Sequence, residues 1–351
     1  MIYRKQRDFD NFTCIADICP KSCCIGWQIV IDEDSLQRYE TEKGNFSARL
    51  KQGVDYEEGV FCQHQNGRCA MLNESGLCDL QTALGESGLC DTCKLYPRHT
   101  EEFQDLREYS LSLSCPEAAR MLLDPAYDFD FTETEDDLED DPAEFEDFDF
   151  LIFDQLEYAR EKMYVTASDQ SLPLQERMSR IATMAYKLQE CFDEGDILAM
   201  GDVTCEELVS APNTGIMLSH ANCMESLQVL ADMEVLEPSW TDTLKATRNY
   251  WQNQSDDSPA WQEAMHPTGA SSFCYEKILK SLLFTYFCGA VYDGEIYAKA
   301  MLSIQSVRWL MMMQRATGMD LEKTLYLFSR EVEHSDLNIN SIISYYEKEL
   351  P

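Results

Sequence analysis

The sequence predicts a mainly α protein in which a loop-rich, cysteine-cluster N-terminal region is joined to an α-helical C-terminal domain. Three observations lead to this fold class. Ten of the 15 cysteines fall before residue 116, a run of acidic residues follows, and apolar residues then recur at helical spacing. The 351 residues suffice for two domains of roughly 100–200 residues each. We therefore expect a cysteine-rich metal or iron–sulfur domain over residues 1–123, an acidic linker over 124–149 and an α-helical domain over 150–351.

Turn-forming pairs such as Asn66-Gly67 separate the cysteines of the N-terminal region, so loops and short elements are expected there. One helix is predicted in the segment IDEDSLQRYETE, where Asp32 or Asp34 would cap its first turn. A metal would replace much of the core that loops cannot supply.

The acidic segment contains 14 Asp or Glu residues and no Lys or Arg between residues 124 and 149. Blocks of like charge repel and usually form solvated or disordered segments. Phenylalanine and tyrosine interrupt the run, so a docking strip for a basic partner is a second interpretation. A linker that packs one or two of these aromatic residues is favoured.

The C-terminal region shows one helical pattern after another and no alternating run of β-branched residues. Its Met-rich stretch is interpreted as adaptable core filler. The predicted helical segments cover roughly residues 150–164, 172–192, 216–234, 239–253, 271–293, 295–317, 320–334 and 338–349.

The cysteine cluster predicts a metal site. No apolar run approaches the ~20 residues of a membrane-spanning helix, and the first residues lack the apolar stretch of a signal peptide. We expect a cytoplasmic protein without membrane insertion, where dense thiols indicate metal binding or catalysis and not disulfides. Soft thiolates select zinc, copper(I) or iron–sulfur clusters, and four suffice for one centre. Ten candidates allow one site or two, and the candidate ligands are Cys19, Cys23, Cys24, Cys69, Cys78, Cys90, Cys93 and Cys115.

The net charge of −36, from 64 acidic and 28 basic residues, argues against nucleic-acid binding, which needs basic surface to neutralise phosphates. A negative field of this size would favour basic partners, or it serves solubility alone.

Four segments carry a family resemblance: CPKSCCIGWQIVIDEDSLQRY, GRCAMLNESGLCDLQ, LCDTCKLYPRH and SLSLSCPEAARMLL. Together they resemble the flagellin lysine-N-methylases of flagellated bacteria. The N-terminal part is also similar to small cysteine-cluster proteins described as zinc- or iron-chelating. The resemblance is detailed over residues 14–123 and continues to the C-terminus without a crisp motif.

The resemblance implies N-methylation of surface lysine ε-amines on flagellin, the protein substrate, with S-adenosylmethionine as the methyl donor. It also implies an iron–sulfur cluster, expected as 4Fe–4S with zinc as the alternative. The radical motif C-x3-C-x2-C is absent, since Gly26 stands at its third position, and no G-x-G occurs. The binding mode of the donor is therefore unassigned.

The chemistry of methyl transfer suggests candidate residues within the resembling segments. A sulfonium cation favours aromatic faces and negative charge, which makes Trp27, Tyr96 and Asp91 candidates. Arg98 would hold the carboxylate of the donor or neutralise thiolate charge. A lysine ammonium must lose its proton before it attacks, and a nearby carboxylate or tyrosine would help, but no catalytic residue is assigned.

Two other functional classes remain open. In one, the chain is a non-enzymatic, metal-stabilised binding module or chaperone for a basic partner protein. In the other, it stores metal or senses redox state, which would not need the long helical domain.

Overall fold

The computed structural model describes residues 1–138, 140, 145, 148–205 and 218–348. The described part of the predicted helical domain is helical almost throughout, whereas the N-terminal region contains short helices, strands and loops. The mainly α fold class is therefore confirmed.

The N-terminal region builds two small sheets. The strands are β1 (Ile2–Gln6), β2 (Val54–Asp55), β3 (Val60–Phe61), β4 (Arg98–Phe103), β5 (Leu106–Leu111) and β6 (Phe131–Glu135). Four of them form one sheet in the order β4-β5-β1-β6, in which β1 runs parallel to β5 and antiparallel to β6. The pair β2 and β3 forms the second sheet. Sequence reasoning predicted short elements here but no sheet, because these strands are at most six residues long and rich in charged residues.

Five short helices connect these strands: α1 (Glu33–Thr41), α2 (Ser47–Gly53), α3 (Asp79–Leu84), α4 (Asp91–Leu95) and α5 (Pro116–Leu123). The predicted helix is α1, and Asp32 is its cap, because its Oδ1 accepts a hydrogen bond of 2.8 Å from the Ser35 amide. The other carboxylate oxygen of Asp32 accepts from the Asp91 amide at 2.9 Å. One acidic residue thus ties the start of α1 to the start of α4.

The described part of the acidic segment docks on the protein through β6. Arg4 on β1 donates to Glu133 of β6 at 2.9 Å and to the buried Glu108 of β5 at 2.7 Å. Phe129 and Phe131 pack against Phe284, with ring centroids about 6 Å apart. Aromatic residues of this segment are packed, as expected for the linker interpretation, and the domain division itself stays a prediction.

The helical region packs around one central helix. Its helices are α6 (Phe150–Ala167), α7 (Leu174–Asp193), α8 (His220–Asp232), α9 (Pro238–Trp251), α10 (Pro259–Met265), α11 (Ala270–Tyr286), α12 (Ala290–Asp293), α13 (Ile296–Thr317), α14 (Leu321–Glu333) and α15 (Asp336–Lys348). Helix α13 lies at the centre, where it contacts α7, α9, α11 and α15. Its Met311, Met312 and Met313 are buried, which agrees with their interpretation as core filler.

Most predicted helical segments match observed helices to within a few residues, but α10 was not predicted. The start of the segment predicted over 216–234 and the end of that over 338–349 lie outside the described residues. None of the helices in the described ranges is both long and apolar enough to cross a bilayer.

Candidate functional site

A cavity of about 710 Å³ lies where the N-terminal region meets the C-terminal helices. Its walls come from the loop over residues 23–30, from α4 and the β4–β5 hairpin, and from α11 and the α14–α15 junction. Its volume falls within the ~300–1,000 Å³ typical of small-molecule sites. Its lining includes Cys23, Cys24, Trp27, Cys78, Cys93, Tyr96, Arg98, His99, Glu101, Ser110, Ser112, Tyr286, Glu333 and His334.

One wall of the cavity is aromatic. The Trp27 ring stacks on the His334 ring with centroids 3.9 Å apart and planes 19° apart. Tyr96 lies beside both rings, at 5.8 Å from Trp27 and 5.7 Å from His334. Trp27 follows the vicinal cysteine pair, whereas His334 ends α14, so this wall is shared between the two regions of the chain.

Arg330 contacts both the aromatic wall and the loop that carries Trp27. Its guanidinium lies 4.2 Å from the centroid of Trp27, and its Nη2 donates to the carbonyls of Ile25 at 2.5 Å and Ser22 at 3.3 Å. The side chain is only 2% exposed. Gly26 lets the loop approach, because its φ of +107° is unfavourable for other residues and an added Cβ would lie 3.4 Å from Nη2. Helix α14 thus holds the cysteine-bearing loop.

A chain of hydrogen bonds runs along the cavity wall from Glu333 to the aromatic residues. Ser112 Oγ donates to Glu333 Oε2 at 2.7 Å and lies 2.7 Å from Ser114 Oγ. Ser114 Oγ in turn lies 2.7 Å from His334 Nε2 and 3.1 Å from the Tyr96 hydroxyl. Ser114 is fully buried. Burial, followed by the positive charge of Arg330, lowers the pKa of His334 to about 3, so this imidazole is neutral near pH 7.

Glu333 is a carboxylate of the cavity wall with a shifted pKa. Burial raises its pKa above the usual glutamate value, against the hydrogen bonds from Ser112 and neighbouring groups. The cavity is also lined by His99, whose Nε2 lies 2.7 Å from Glu101 Oε1. Burial also raises the pKa of Tyr96, so its phenol stays protonated near pH 7.

The three residues predicted to bind the donor all line this cavity, but they are not equally available. Trp27 and Tyr96 form the aromatic wall. The Arg98 guanidinium packs over Phe9 and Phe12, at 5.7 and 5.4 Å from their centroids, and its Nη2 lies 3.5 Å from the Phe12 carbonyl. Its contact with the donor carboxylate stays a prediction.

Sequence reasoning missed Arg330, Glu333 and His334. They follow one another at spacings of three and one in SREVEH, which places all three on one side of α14. Charged residues on the face of an amphipathic helix usually contact solvent, so this pattern alone does not predict a site. Three ionisable residues on the helix face next to the buried Tyr326 could have indicated that this face lies in the interior and not in solvent.

The cysteines carry free thiols throughout, and all fifteen belong to the described residues. The predicted ligands Cys23, Cys24, Cys78 and Cys93 reach the cavity wall. In two pairs, Cys23 with Cys24 and Cys90 with Cys93, each thiol shifts the pKa of the other.

The remaining predicted ligands lie on two sides of these pairs. Burial, followed by the nearby Cys24, Cys78 and Cys90, raises the pKa of Cys69 to about 12. On the other side, burial raises the pKa of Cys115 to about 11, with a smaller contribution from Cys19.

Within the described ranges, no group of three His, Cys, Asp or Glu side chains is close enough to hold a metal ion. The donor chemistry of the facing thiols fits a thiophilic metal. The geometry brings them together only in pairs. The ligand assignment therefore stays a prediction.

Residues 160–350, more than half of the chain, match the model of the FliB lysine N-methylase C-terminal domain. A stretch of 124 residues is 31% identical to a "Lysine-N-methylase" of Salmonella typhimurium and to another of Salmonella choleraesuis. That stretch covers 33% of this chain and 31% of each relative.

A match of the same length and identity covers 73% of the "Flagellar biosynthetic protein FliU" of Salmonella muenchen. No solved structure matches the chain. The family model covers the helices that supply Arg330, Glu333 and His334, and the chain belongs to the FliB lysine N-methylase family.

Proposed function

We propose that this chain is a protein-lysine N-methyltransferase that uses S-adenosylmethionine and acts on flagellin. The observation that carries the proposal is the cavity, which is lined both by an aromatic wall and by a partly buried carboxylate. Family membership and the names of the relatives agree with lysine methylation in a flagellar context.

The aromatic wall is the proposed donor site. A sulfonium cation is attracted to an aromatic face by about 0.5–2 kcal/mol, depending on desolvation. Tyr96 supplies such a face, and Trp27, which contacts the Arg330 guanidinium and the neutral His334 ring, supports it. Arg330 lies against Trp27 and holds the ring in place.

Glu333 is the proposed acceptor of the lysine proton. A lysine ammonium, with a normal pKa near 10.4, must be deprotonated to expose its lone pair. Partial burial weakens the hydration of both groups, and the raised pKa of Glu333 brings it closer to that of the amine. The amine then attacks the donor methyl carbon as the carbon–sulfur bond breaks, so each transfer releases one proton.

The cysteine cluster is proposed to hold a metal centre beside the donor wall. Cys24, Cys69, Cys78, Cys90 and Cys93 would supply its thiolates, and Cys19, Cys23 and Cys115 flank them. When bound, a 4Fe–4S cluster or zinc would organise the loop-rich wall that presents Trp27. Iron, sulfide and zinc analysis of anaerobically purified protein, repeated on Cys78→Ala, tests this assignment. Protein that is folded and free of these elements would contradict it.

The activity is tested by intact-mass analysis of flagellin after incubation with anaerobically purified protein and S-adenosylmethionine. We expect a ladder of 14 Da additions that requires the donor. Peptide mapping should place the additions on lysine. Stoichiometric capture of flagellin without donor consumption would instead support the binding-module alternative. The matched control is Glu161→Gln, an exposed substitution on α6.

A further inference from the structure

The hydrogen-bonded chain from Glu333 to His334 has only one arrangement of protons that satisfies every contact while Glu333 is ionised. An ionised carboxylate only accepts, so the single hydroxyl proton of Ser112 points to Glu333. The 2.7 Å contact between the two serines must then use the proton of Ser114.

The same count of protons applies to the hydrogen bonds between Ser114 and the aromatic wall. Because the proton of Ser114 is committed to Ser112, Ser114 Oγ can only accept from its two remaining neighbours. The Tyr96 hydroxyl donates one proton at 3.1 Å, and His334 must carry a proton on Nε2 to donate the other at 2.7 Å. The Nδ1 atom of this neutral imidazole is therefore left with a free lone pair.

When Glu333 is protonated, the proton of Ser112 need not point to it, because a carboxylic acid can itself donate to Ser112. Either tautomer of His334 then satisfies the chain. The titratable groups that face Glu333 are His99 on β4 and Tyr286 at the end of α11, and Glu101 is paired with His99. Arg330 is the charged group that faces His334.

We propose that Ser112 and Ser114 are positioning residues that couple the charge of Glu333 to the tautomer of His334. The ionised carboxylate holds the imidazole in its Nε2–H form against Trp27, and proton uptake by Glu333 releases it. The coupling is a property of the folded protein alone. In catalysis, the coupling means that removal of the lysine proton by Glu333 changes the donor wall. This consequence rests on the proposed function.

The test is long-range ¹H–¹⁵N NMR of protein labelled on its five histidines, with His334→Gln used to assign the resonance. We expect His334 in the wild-type protein to show one neutral tautomer, protonated on Nε2, at a pH where Glu333 is ionised. Ser114→Ala and Glu333→Gln should each give a mixture of tautomers. Ser114→Thr, which keeps the hydroxyl, should restore the single form.

The matched control is Ser110→Ala. Ser110 also lines the cavity and is buried, but its hydroxyl pairs with Thr285 and not with the chain, so His334 should be unchanged. If Ser114→Ala does not fold, Ser112→Ala cuts the chain one link nearer Glu333 and should free the tautomer in the same way. An Nδ1–H form in the wild type, or identical spectra of the wild type and a folded, chain-cutting variant, would overturn the coupling.

A kinetic measurement separates this inference from the proposed function. If both hold, Ser114→Ala lowers kcat roughly tenfold with little change in KM, and Ser114→Thr recovers it. A wild-type protein with the expected tautomer and no methyl transfer contradicts the proposed function and leaves the coupling intact. Methyl transfer with a His334 tautomer that ignores Ser114 contradicts only the coupling.

Discussion

Glu331 and Glu333 lie two residues apart on α14 and point to different sides of the helix. Glu333 faces the cavity, whereas Glu331 is 1% exposed and accepts from the Leu236 amide at 3.0 Å. The other oxygen of Glu331 has no hydrogen-bond partner, and burial raises its pKa to about 7. The two residues therefore predict different effects of pH, one on stability and one on activity.

Glu331 should make the folded protein less stable as pH rises. Between its ordinary pKa of 4.5 and its folded value of about 7, the folded state binds a proton that the unfolded state has lost. Stability therefore falls as pH rises through this window, by up to about 3 kcal/mol. Glu331→Gln should remove this dependence, measured by urea unfolding at pH 5 and pH 8. The exposed Glu161→Gln should behave as wild type, and equal pH dependence in all three proteins would refute the assignment.

Glu333→Gln should abolish proton removal and leave the fold intact. A general base typically contributes ~10²–10⁴ in rate, so kcat should fall by at least about a hundredfold. In the wild type, activity should fall as the pH drops below the raised pKa of this carboxyl, because the protonated form cannot accept a proton. The kcat–pH profile measures both effects. A variant that keeps the wild-type acid limb would exclude Glu333 as the base.

Trp27→Ala should weaken donor binding more than Trp27→Phe does. Loss of the Trp27 ring removes the support of Tyr96, and a lost cation–π contact of about 0.5–2 kcal/mol corresponds to roughly a 2- to 30-fold rise in the dissociation constant. Phenylalanine keeps an aromatic face and should recover part of this loss. Calorimetric titration with S-adenosylmethionine provides the measurement, and Trp240→Phe, a buried change outside the cavity, is the control. Unchanged affinity in Trp27→Ala would move the donor elsewhere.

At the scale of elements, helix α14 joins the two regions of the chain. The hydrophobic side of this helix packs in the core through Leu325, Phe328 and Val332. On its polar side, Arg330 donates hydrogen bonds to the cysteine-bearing loop. The helix thus supplies part of the aromatic wall and holds the loop that supplies the rest.

Arg330→Ala should release the loop over residues 22–27. It removes hydrogen bonds from a charged donor to two carbonyls, each worth about 1.5–3 kcal/mol. Amide exchange in this loop should accelerate while the core of α13 stays protected. Arg330→Lys should not restore protection, because an ammonium lacks the planar fork that reaches both carbonyls and stacks on Trp27. Hydrogen–deuterium exchange with mass spectrometry makes the comparison, and equal exchange in Arg330→Ala and wild type would show that the loop is held by other contacts.

The sequence predicted helices best where the periodic spacing of apolar residues extended over many residues. The 3.6-residue spacing of apolar residues located α6, α7 and α13 because each is 18 residues or longer. The four-stranded sheet was not predicted because β1 contains Arg4, whose charge is neutralised by Glu108, Glu133 and Glu157, all far away in sequence. Long-range ion pairs leave no local pattern.

At the scale of the whole molecule, the excess of 36 negative charges should draw lysine-bearing surfaces toward the protein. Salt screens this field over a Debye length of about 10 Å at 0.1 M and about 3 Å at 1 M. The KM for flagellin should therefore rise several-fold between low and high salt, while the kcat stays constant. Methylation of a neutral peptide acceptor under the same conditions is the control. A flagellin KM that does not respond to salt would remove the electrostatic part of the proposal.

Only part of the candidate site could be predicted from the sequence, because the rest depends on contacts between elements that are far apart in the chain. Trp27 and Tyr96 stand in segments that carry a family resemblance, so they were found from the sequence. Glu333 and His334 become interior only because a loop some 300 residues earlier covers their helix. Sequence periodicity describes one element at a time and contains no information on which element covers another.

The span of that contact has a consequence for synthesis. Ser22 and Arg330 are joined across 308 residues, so the cavity cannot close until the ribosome has released helix α14. A shorter nascent chain would have the cysteines and Trp27 but not the part of the wall that α14 supplies. Assembly of the pocket therefore has to wait for the synthesis of α14.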